Sequence, residues 1–301
     1  MARIDAHLHV FAKQSKEFPR EESALAPADR EETAEKFVAH MEQHAIDQAM
    51  LVQIGGAEIT EHAYLRHCID AYPDRFLGIG LVPGDCAEPE AHMDALAGEG
   101  GIVGFRLGSL GGPRDPFALI DVREFASYRI WQHAAERDYV LWLYVQAADA
   151  HLIAHLVDAF PQVRVVLNHL GMCPGQGKFT VDEWGRPKID TPAYSPAFHT
   201  TWRLTRYENV AVLLSGQYAF SKEAFPYRDL AGWHERLLRD FGSRRLMWAT
   251  DAPWIYEEPG YGKYTRVIDE LLPSISERER ADIIGARRGG FYGFPRGRMI
   301  S

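Results

Sequence analysis

The sequence predicts an α/β fold, a single (β/α)8 (TIM-type) barrel spanning residues 1–301 as one domain. Three observations predict it. Eight short apolar runs alternate with longer amphipathic segments from one end of the chain to the other. The long connections fall after the C-terminal ends of runs, the face where barrel sites gather. The same run ends carry titratable or polar side chains.

The runs are Ile4–Val10, Gln48–Ile54, Arg75–Val82, Ile102–Leu107, Tyr139–Val145, Val163–Asn168, Asn209–Leu214 and Arg245–Thr250. Stretches such as AMLVQI, VRVVL and NVAVLL are nearly continuously apolar, as expected of parallel strands covered on both faces. Between them, Thr33–His44 sets Phe37, Val38 and Met41 at near-helical spacing, and Arg123–Arg137 and Ala147–Phe160 read likewise as helices. Their histidines, with others between the runs (His40, His44, His62, His67, His92, His133, His151, His155, His234), are expected on solvated faces. Residues 11–30, 108–121 and 170–198 form the long loops after the first, fourth and sixth runs. A doubly wound sheet is the alternative arrangement.

Charge and composition exclude other classes. Thirty-three basic residues against 42 acidic ones give a net charge of −9, which disfavours nucleic acid or an anionic membrane as partner. The most apolar short run, Tyr139–Val145, is far below the roughly 20 residues of a spanning helix. The N-terminus lacks a signal-peptide profile. Cys68, Cys86 and Cys173 form neither a disulfide framework nor a zinc knuckle. A cytoplasmic protein with a small-molecule partner is the expectation. Assembly into a homo-oligomer is left open.

The run ends present His7 and His9, Gln53, Arg106, Tyr144, His169, Ser215 and Asp251. In a strand, positions i and i+2 point the same way, so both imidazoles of His7-Leu8-His9 can enter the barrel and share a metal ion or a substrate; two surface histidines on an edge strand are the alternative. Asp251, in WATDAPW, either caps the next segment or supplies the carboxylate of a hydrolytic centre, as ligand, base or both. His169, before Leu170-Gly171, faces the same centre or bonds its own loop. Arg106 sits at the inner end of a buried run and needs an anion, for which a bound substrate is favoured over an internal carboxylate. Tyr144 is either core or a catalytic contact. Trp184, Trp254, Tyr218 and Tyr256 are candidate pocket aromatics. Cys173 has no evident base and is not expected to be a nucleophile. Two imidazoles and a carboxylate suit one divalent, zinc-like ion, with His169 as a fourth ligand or a substrate contact. Such an ion is expected to be partly occupied and lost on chelation.

The motifs DAHLHVF, GFRLGS, VVLNHLG, NVAVLLSG and WATDAPW together resemble the amidohydrolase superfamily, nearest its amidohydrolase-related branch of 2-pyrone-4,6-dicarboxylate lactonase and sulfomuconolactonase-like hydrolases. The resemblance runs from Asp5 to about Pro295. It implies that His7 and His9 are the strand-one pair, His169 the strand-six histidine and Asp251 the strand-eight aspartate. It further implies that Arg106 faces a substrate carboxylate. Tyr144 stands where many metal-dependent members carry histidine, and no lysine ends strand four, so the resemblance implies a mononuclear site or a metal-free one. The expected activity is a lactonase opening a carboxylated cyclic ester with Asp251 as general base, Tyr144 and His169 at the reacting centre, and Arg106, Gln53, Ser215 and Trp254 around the substrate. A metal-dependent non-oxidative decarboxylase, and an inactive barrel that only binds, are the alternatives.

Overall fold

Each predicted apolar run contains a strand; the fourth fills its run, Ile102–Leu107, and the others are shorter than theirs. The computed structural model describes residues 2–98, 100–115, 117–172, 178–190 and 196–285. Strands β1 (Ile4–Leu8), β2 (Gln48–Val52), β3 (Phe76–Leu81), β4 (Ile102–Leu107), β5 (Val140–Leu143) and β6 (Val165–Leu167) follow in order. A two-stranded antiparallel hairpin, β7 (Phe179–Val181) and β8 (Pro187–Ile189), interrupts the series before β9 (Val210–Leu214) and β10 (Leu246–Trp248) complete it. The main sheet is parallel throughout in the order β1-β2-β3-β4-β5-β6-β9-β10. Bridging between Leu8 and Ala252 closes it into a barrel.

The connections carry α1 (Ala34–His44), α2 (Ala63–Ala71), α3 (Pro89–Ala97), α4 (Tyr128–Arg137) and α5 (Ile153–Ala159). Beyond the hairpin come α6 (Pro196–Arg203), α7 (Gln217–Phe220), α8 (Ala231–Phe241), α9 (Tyr261–Tyr264), α10 (Val267–Leu271) and α11 (Glu277–Ile284). Helix α1 begins where the Thr33 side chain accepts from the Lys36 N–H, and it ends at left-handed Ala45. Its buried face, with Phe37 and Met41, is the one the spacing predicts. Two predicted helices start later than expected. Arg123–Arg137 is a short 3-10 turn followed by α4, and Ala147–Phe160 opens as a 3-10 turn before α5. Among the described residues, no helix is long and apolar enough to cross a membrane.

The helix-side histidines need a correction. His62, His92, His133 and His234 are buried, not solvated. The physical reason is that each finds a partner on site. His62 and His234 donate from Nδ1 to the carbonyls four residues back, Glu58 and Leu230, while His92 meets the Leu81 carbonyl and His133 the Asp94 carboxylate. The loop 11–30 is likewise built around a buried cation. Arg20 donates to the carbonyls of Ala12, Ala26, Pro27 and Arg30.

Two apolar layers result. The barrel interior holds Ile4, Ala6, Met50, Trp142, Leu213 and Met247 with their neighbours, contributed by strands and no helix. The outer faces of the strands pack on the helices in a second, larger core. Strand β1 changes phase within its own length. Ile4 and Ala6 face the interior, but Leu8 and Val10 belong to the outer layer, and the register with β2 shifts between Asp5 and Leu8. This bulge turns His7 and His9 toward the barrel axis while Asp5 stays outside it.

Asp5 seals the barrel. Its completely buried carboxylate accepts from the Thr250 N–H at 2.9 Å, the Thr250 hydroxyl at 2.6 Å and the Tyr261 phenol at 3.1 Å. Burial pushes this carboxyl up to about 7, in part offset by those hydrogen bonds. Because the folded-state value lies above the unfolded one, its contribution to stability is fully present below about pH 4 and is lost as pH rises through about 7. Asp5→Asn keeps an acceptor but has no proton to lose. Urea unfolding from pH 4 to 8 should therefore show wild type losing roughly 2 kcal/mol or more relative to the variant. A stability difference that does not vary with pH contradicts the assignment.

Candidate active site

Four strand ends bring one cluster together at the barrel mouth. The bulge in β1 delivers His7 and His9, the residue pair after β6 delivers His169, Ser215 follows β9, and Asp251 lies just beyond β10. All five are buried. The carboxylate is the hub. His9 Nε2 lies 3.5 Å and His7 Nε2 3.9 Å from Asp251 Oδ1, and His169 Nδ1 lies 3.9 Å from Oδ2. His7 stacks on His169 with ring centroids 5.1 Å apart and stands edge-on to Trp142, which floors the site. Both Asp251 (φ 57) and His169 (φ 43) have left-handed backbone, the conformational strain that surrounding structure must hold. Gly216 makes room for this. A side chain there would meet His169 Nδ1 at 2.9 Å.

Hydrogen bonds assign the roles of individual nitrogens. His9 Nδ1 sits 2.8 Å from the Val52 carbonyl, which only accepts, so Nδ1 carries a proton and Nε2 faces Asp251. Ser215 Oγ lies 2.9 Å from His169 Nδ1. By contrast, neither ring nitrogen of His7 and not Asp251 Oδ1 has any hydrogen-bond partner, although all are buried. Burial holds His7 well below the usual imidazole range and lowers His169 as well. For Asp251, burial works to raise the carboxyl, but the imidazoles of His169, His9 and His7 outweigh it and keep the group ionised. His9 Nε2 and His7 Nε2 thus converge on the same carboxylate oxygen, at 3.5 and 3.9 Å. A cation, whether a proton or a metal ion, satisfies all three. Measured by mutual distance, the group is His7, His169 and Asp251, each offering one atom within 4.8 Å of the others. His169, however, already shares Nδ1 with Ser215.

The remaining predicted residues surround this cluster in different ways. Arg106, half-buried on β4, donates from Nη2 to the Gln53 carbonyl at 3.2 Å and has no ion-pair partner among the described residues. The Gln53 side chain itself is turned into its loop, its amide donating to the carbonyls of Ile54, Gly56 and Glu61. Tyr144 sets its ring edge-on to His169 at 4.9 Å. Trp254 lies 6.2 Å from the His9 ring, and the Arg30 guanidinium sits over the indole, 5.0 Å from its ring centroid. Trp184 is half-exposed on the hairpin turn against Arg186, and Tyr256 packs on His40 of α1. Cys173 lies outside the described residues. Sequence reasoning took Tyr218 only as a pocket aromatic, yet its phenol donates to Asp251 Oδ2 at 2.5 Å. Burial, with Asp251 beside it, pushes that phenol well above its usual range, so it remains a donor. No fixed spacing marks such a residue. The only signal is its place four residues after the end of a strand run, just past Ser215-Gly216.

A family model described as Amidohydrolase matches residues 4–286. The fold is similar to that of a probable 2-pyrone-4,6-dicarboxylic acid hydrolase from Acinetobacter baumannii with citric acid bound (19% identity, TM-score 0.74, 98% of this chain and 100% of that one). It is also similar to an amidohydrolase from Burkholderia multivorans with bound zinc (19% identity, TM-score 0.73, 98% and 100%). A 2,6-dihydroxybenzoate decarboxylase from Rhizobium is more distant (15% identity, TM-score 0.60, 97% and 98%). No curated protein sequence matches the chain.

The orphaned nitrogens of His7 have a thermodynamic consequence. In chelator-treated protein, His7→Leu removes two unsatisfied buried polar atoms at similar volume and should raise the unfolding free energy by about 1 kcal/mol. Urea titration measures it. A less stable variant would mean that the nitrogens are satisfied within the metal-free fold.

Proposed function

This chain belongs to the amidohydrolase family, and from that premise we propose that it is a hydrolase opening a cyclic ester that bears at least one carboxylate. Arg106 carries the reading. A guanidinium at the barrel mouth without an acidic partner among the described residues calls for an anionic group on the substrate, which it can grip in bidentate fashion. Opposite it stands a buried carboxylate among three imidazoles, the equipment for water attack on a carbonyl.

His7 and Asp251 Oδ1, whose buried atoms lack hydrogen-bond partners, would hold one divalent ion of zinc type together with His9, whose Nε2 lies 3.5 Å from the same oxygen, and His169 stands by as a fourth ligand. Such an ion supplies Lewis-acid polarisation of the lactone carbonyl and a more acidic water. The zinc in the Burkholderia neighbour agrees with that choice. The chain's own residues do the rest. Asp251 takes the proton of the attacking water. His169, oriented by the Ser215 hydroxyl, hydrogen-bonds the oxygen on which charge develops. Tyr144, edge-on to His169, and Trp254 narrow the space around the ring of the substrate. The name of the Acinetobacter neighbour makes 2-pyrone-4,6-dicarboxylate the first lactone to try.

A non-oxidative decarboxylase is the second reading, favoured by the Rhizobium neighbour. It would use the same Arg106 grip and deliver a proton to carbon instead of activating water.

Asp251→Asn tests the centre. An amide takes no proton, so hydrolysis of 2-pyrone-4,6-dicarboxylate should fall by roughly a thousand-fold or more, and near-wild-type turnover would end the proposal. Release of carbon dioxide from carboxylated aromatics without lactone turnover would favour the second reading. Arg106→Met should raise KM for the dicarboxylate by about ten- to a hundred-fold and leave the uncharged parent 2-pyrone nearly unchanged. Equal effects on both would remove Arg106 from the carboxylate.

A further inference from the structure

The two oxygens of Asp251 have unlike surroundings. Oδ2 accepts the Tyr218 phenol at 2.5 Å, whereas Oδ1 has no hydrogen-bond partner and faces His9 and His7. Tyr218 is completely buried and comes from α7, not from a strand end. We infer that Tyr218 is a positioning residue that occupies Oδ2 and thereby assigns the chemistry of Asp251, ligation or proton transfer, to Oδ1. The inference rests on the proposed role of Asp251 and adds to it which oxygen acts and what enforces the choice.

A phenol can enforce an orientation only if its own backbone is held, and here it is held from two sides. Inside the protein, Gln217 Nε2 lies 3.1 Å from His234 Nε2, and His234 Nδ1 donates to the Leu230 carbonyl at 2.9 Å. The Tyr264 phenol donates to Gln217 Oε1. Because Nδ1 of His234 carries its proton, Nε2 is the acceptor and the Gln217 amide the donor, so this chain of bonds has one consistent direction. From outside, Lys188 on the hairpin donates from Nζ to the Tyr218 carbonyl at 2.5 Å. Helix α7 is thus clamped between the outer core and the hairpin. Rotation of the carboxylate, which would exchange Oδ1 for Oδ2, must break the phenol bond, and two-oxygen coordination is obstructed for the same reason. Oriented carboxylates behind a metal or a reacting water commonly depend on such a neighbour.

Tyr218→Phe removes one oxygen and keeps the ring. Zinc affinity, read by competition with a chromogenic chelator, should fall roughly ten- to a hundred-fold. On 2-pyrone-4,6-dicarboxylate kcat should fall with KM nearly constant, because the Arg106 contact is untouched. Urea midpoints close to wild type show that the variant is folded. Lys188→Met, a milder change on a partly exposed residue, should give a smaller loss of zinc affinity in the same direction. Wild-type zinc affinity and kcat in Tyr218→Phe, with Asp251→Asn inactive, would overturn the inference and leave the role of Asp251 intact. Retained turnover and zinc binding in Asp251→Asn would instead overturn the reading on which the inference rests.

Discussion

Closure of the barrel between β1 and the chain beyond β10 is the constraint on which the mouth depends. The ladder of β10 with β9 ends at Trp248, but the bonds joining that chain to β1 lie further along. The Asp251 N–H donates to the His7 carbonyl and the His9 N–H to the Ala252 carbonyl, both at 2.8 Å. The three residues whose side chains converge are therefore also neighbours through their backbones. Their spacing follows from peptide geometry and is independent of any ligand. Beneath them Asp5 repeats the seam with a side chain, reaching Thr250 by both its N–H and its hydroxyl.

This arrangement is unfavourable in isolation, and the rest of the fold sustains it. Left-handed backbone at Asp251 and His169 costs about 1–3 kcal/mol for each residue. The orphaned atoms of His7 and Asp251 forgo hydrogen bonds that water would have made. A dry interior of Ile4, Ala6, Met50 and Trp142 below, and a larger outer core, supply the compensating burial. Burial also sets protonation. It draws His7 and His169 below the usual imidazole range, while the imidazoles around Asp251 hold its carboxyl down against the same burial. One low-dielectric pocket thus prepares both kinds of group.

How much of this is legible in the sequence differs by residue. The eight runs are visible because parallel strands covered on both faces must be continuously apolar. Arg106, His169 and Asp251 stand out because each ends such a run. The bulge in β1 is not legible. Strict alternation puts Asp5 on the same side as His7 and His9, and only the register against β2 shows that the strand changes phase between them. The burial of His62 and His234 is hidden for another reason. A helical histidine that bonds the carbonyl four residues back looks, in sequence, like any solvated one. The hairpin and the Tyr218 phenol depend on contacts distant along the chain, for which local pattern carries no signal.

Ring order says something more about what can bind. In the closed sheet β1-β2-β3-β4-β5-β6-β9-β10, β4 and β10 stand four places apart in either direction, so Arg106 and Asp251 enter the mouth from opposite sides. That separation explains why two opposite charges in one pocket do not pair. Direct contact would neutralise both, leaving no grip for an anion and no acceptor for a proton. Gln53 helps to keep them apart, since its carbonyl engages the guanidinium from the β2 side. On the proposed reading, a substrate must bridge the two groups, presenting its carboxylate to β4 and its carbonyl to the chain beyond β10. A small rigid ring with those two functions at opposite edges meets the requirement, whereas a flexible chain would lose conformational entropy in doing so. The width of the barrel thus acts as a ruler, and the phase change in β1 sets where its zero lies.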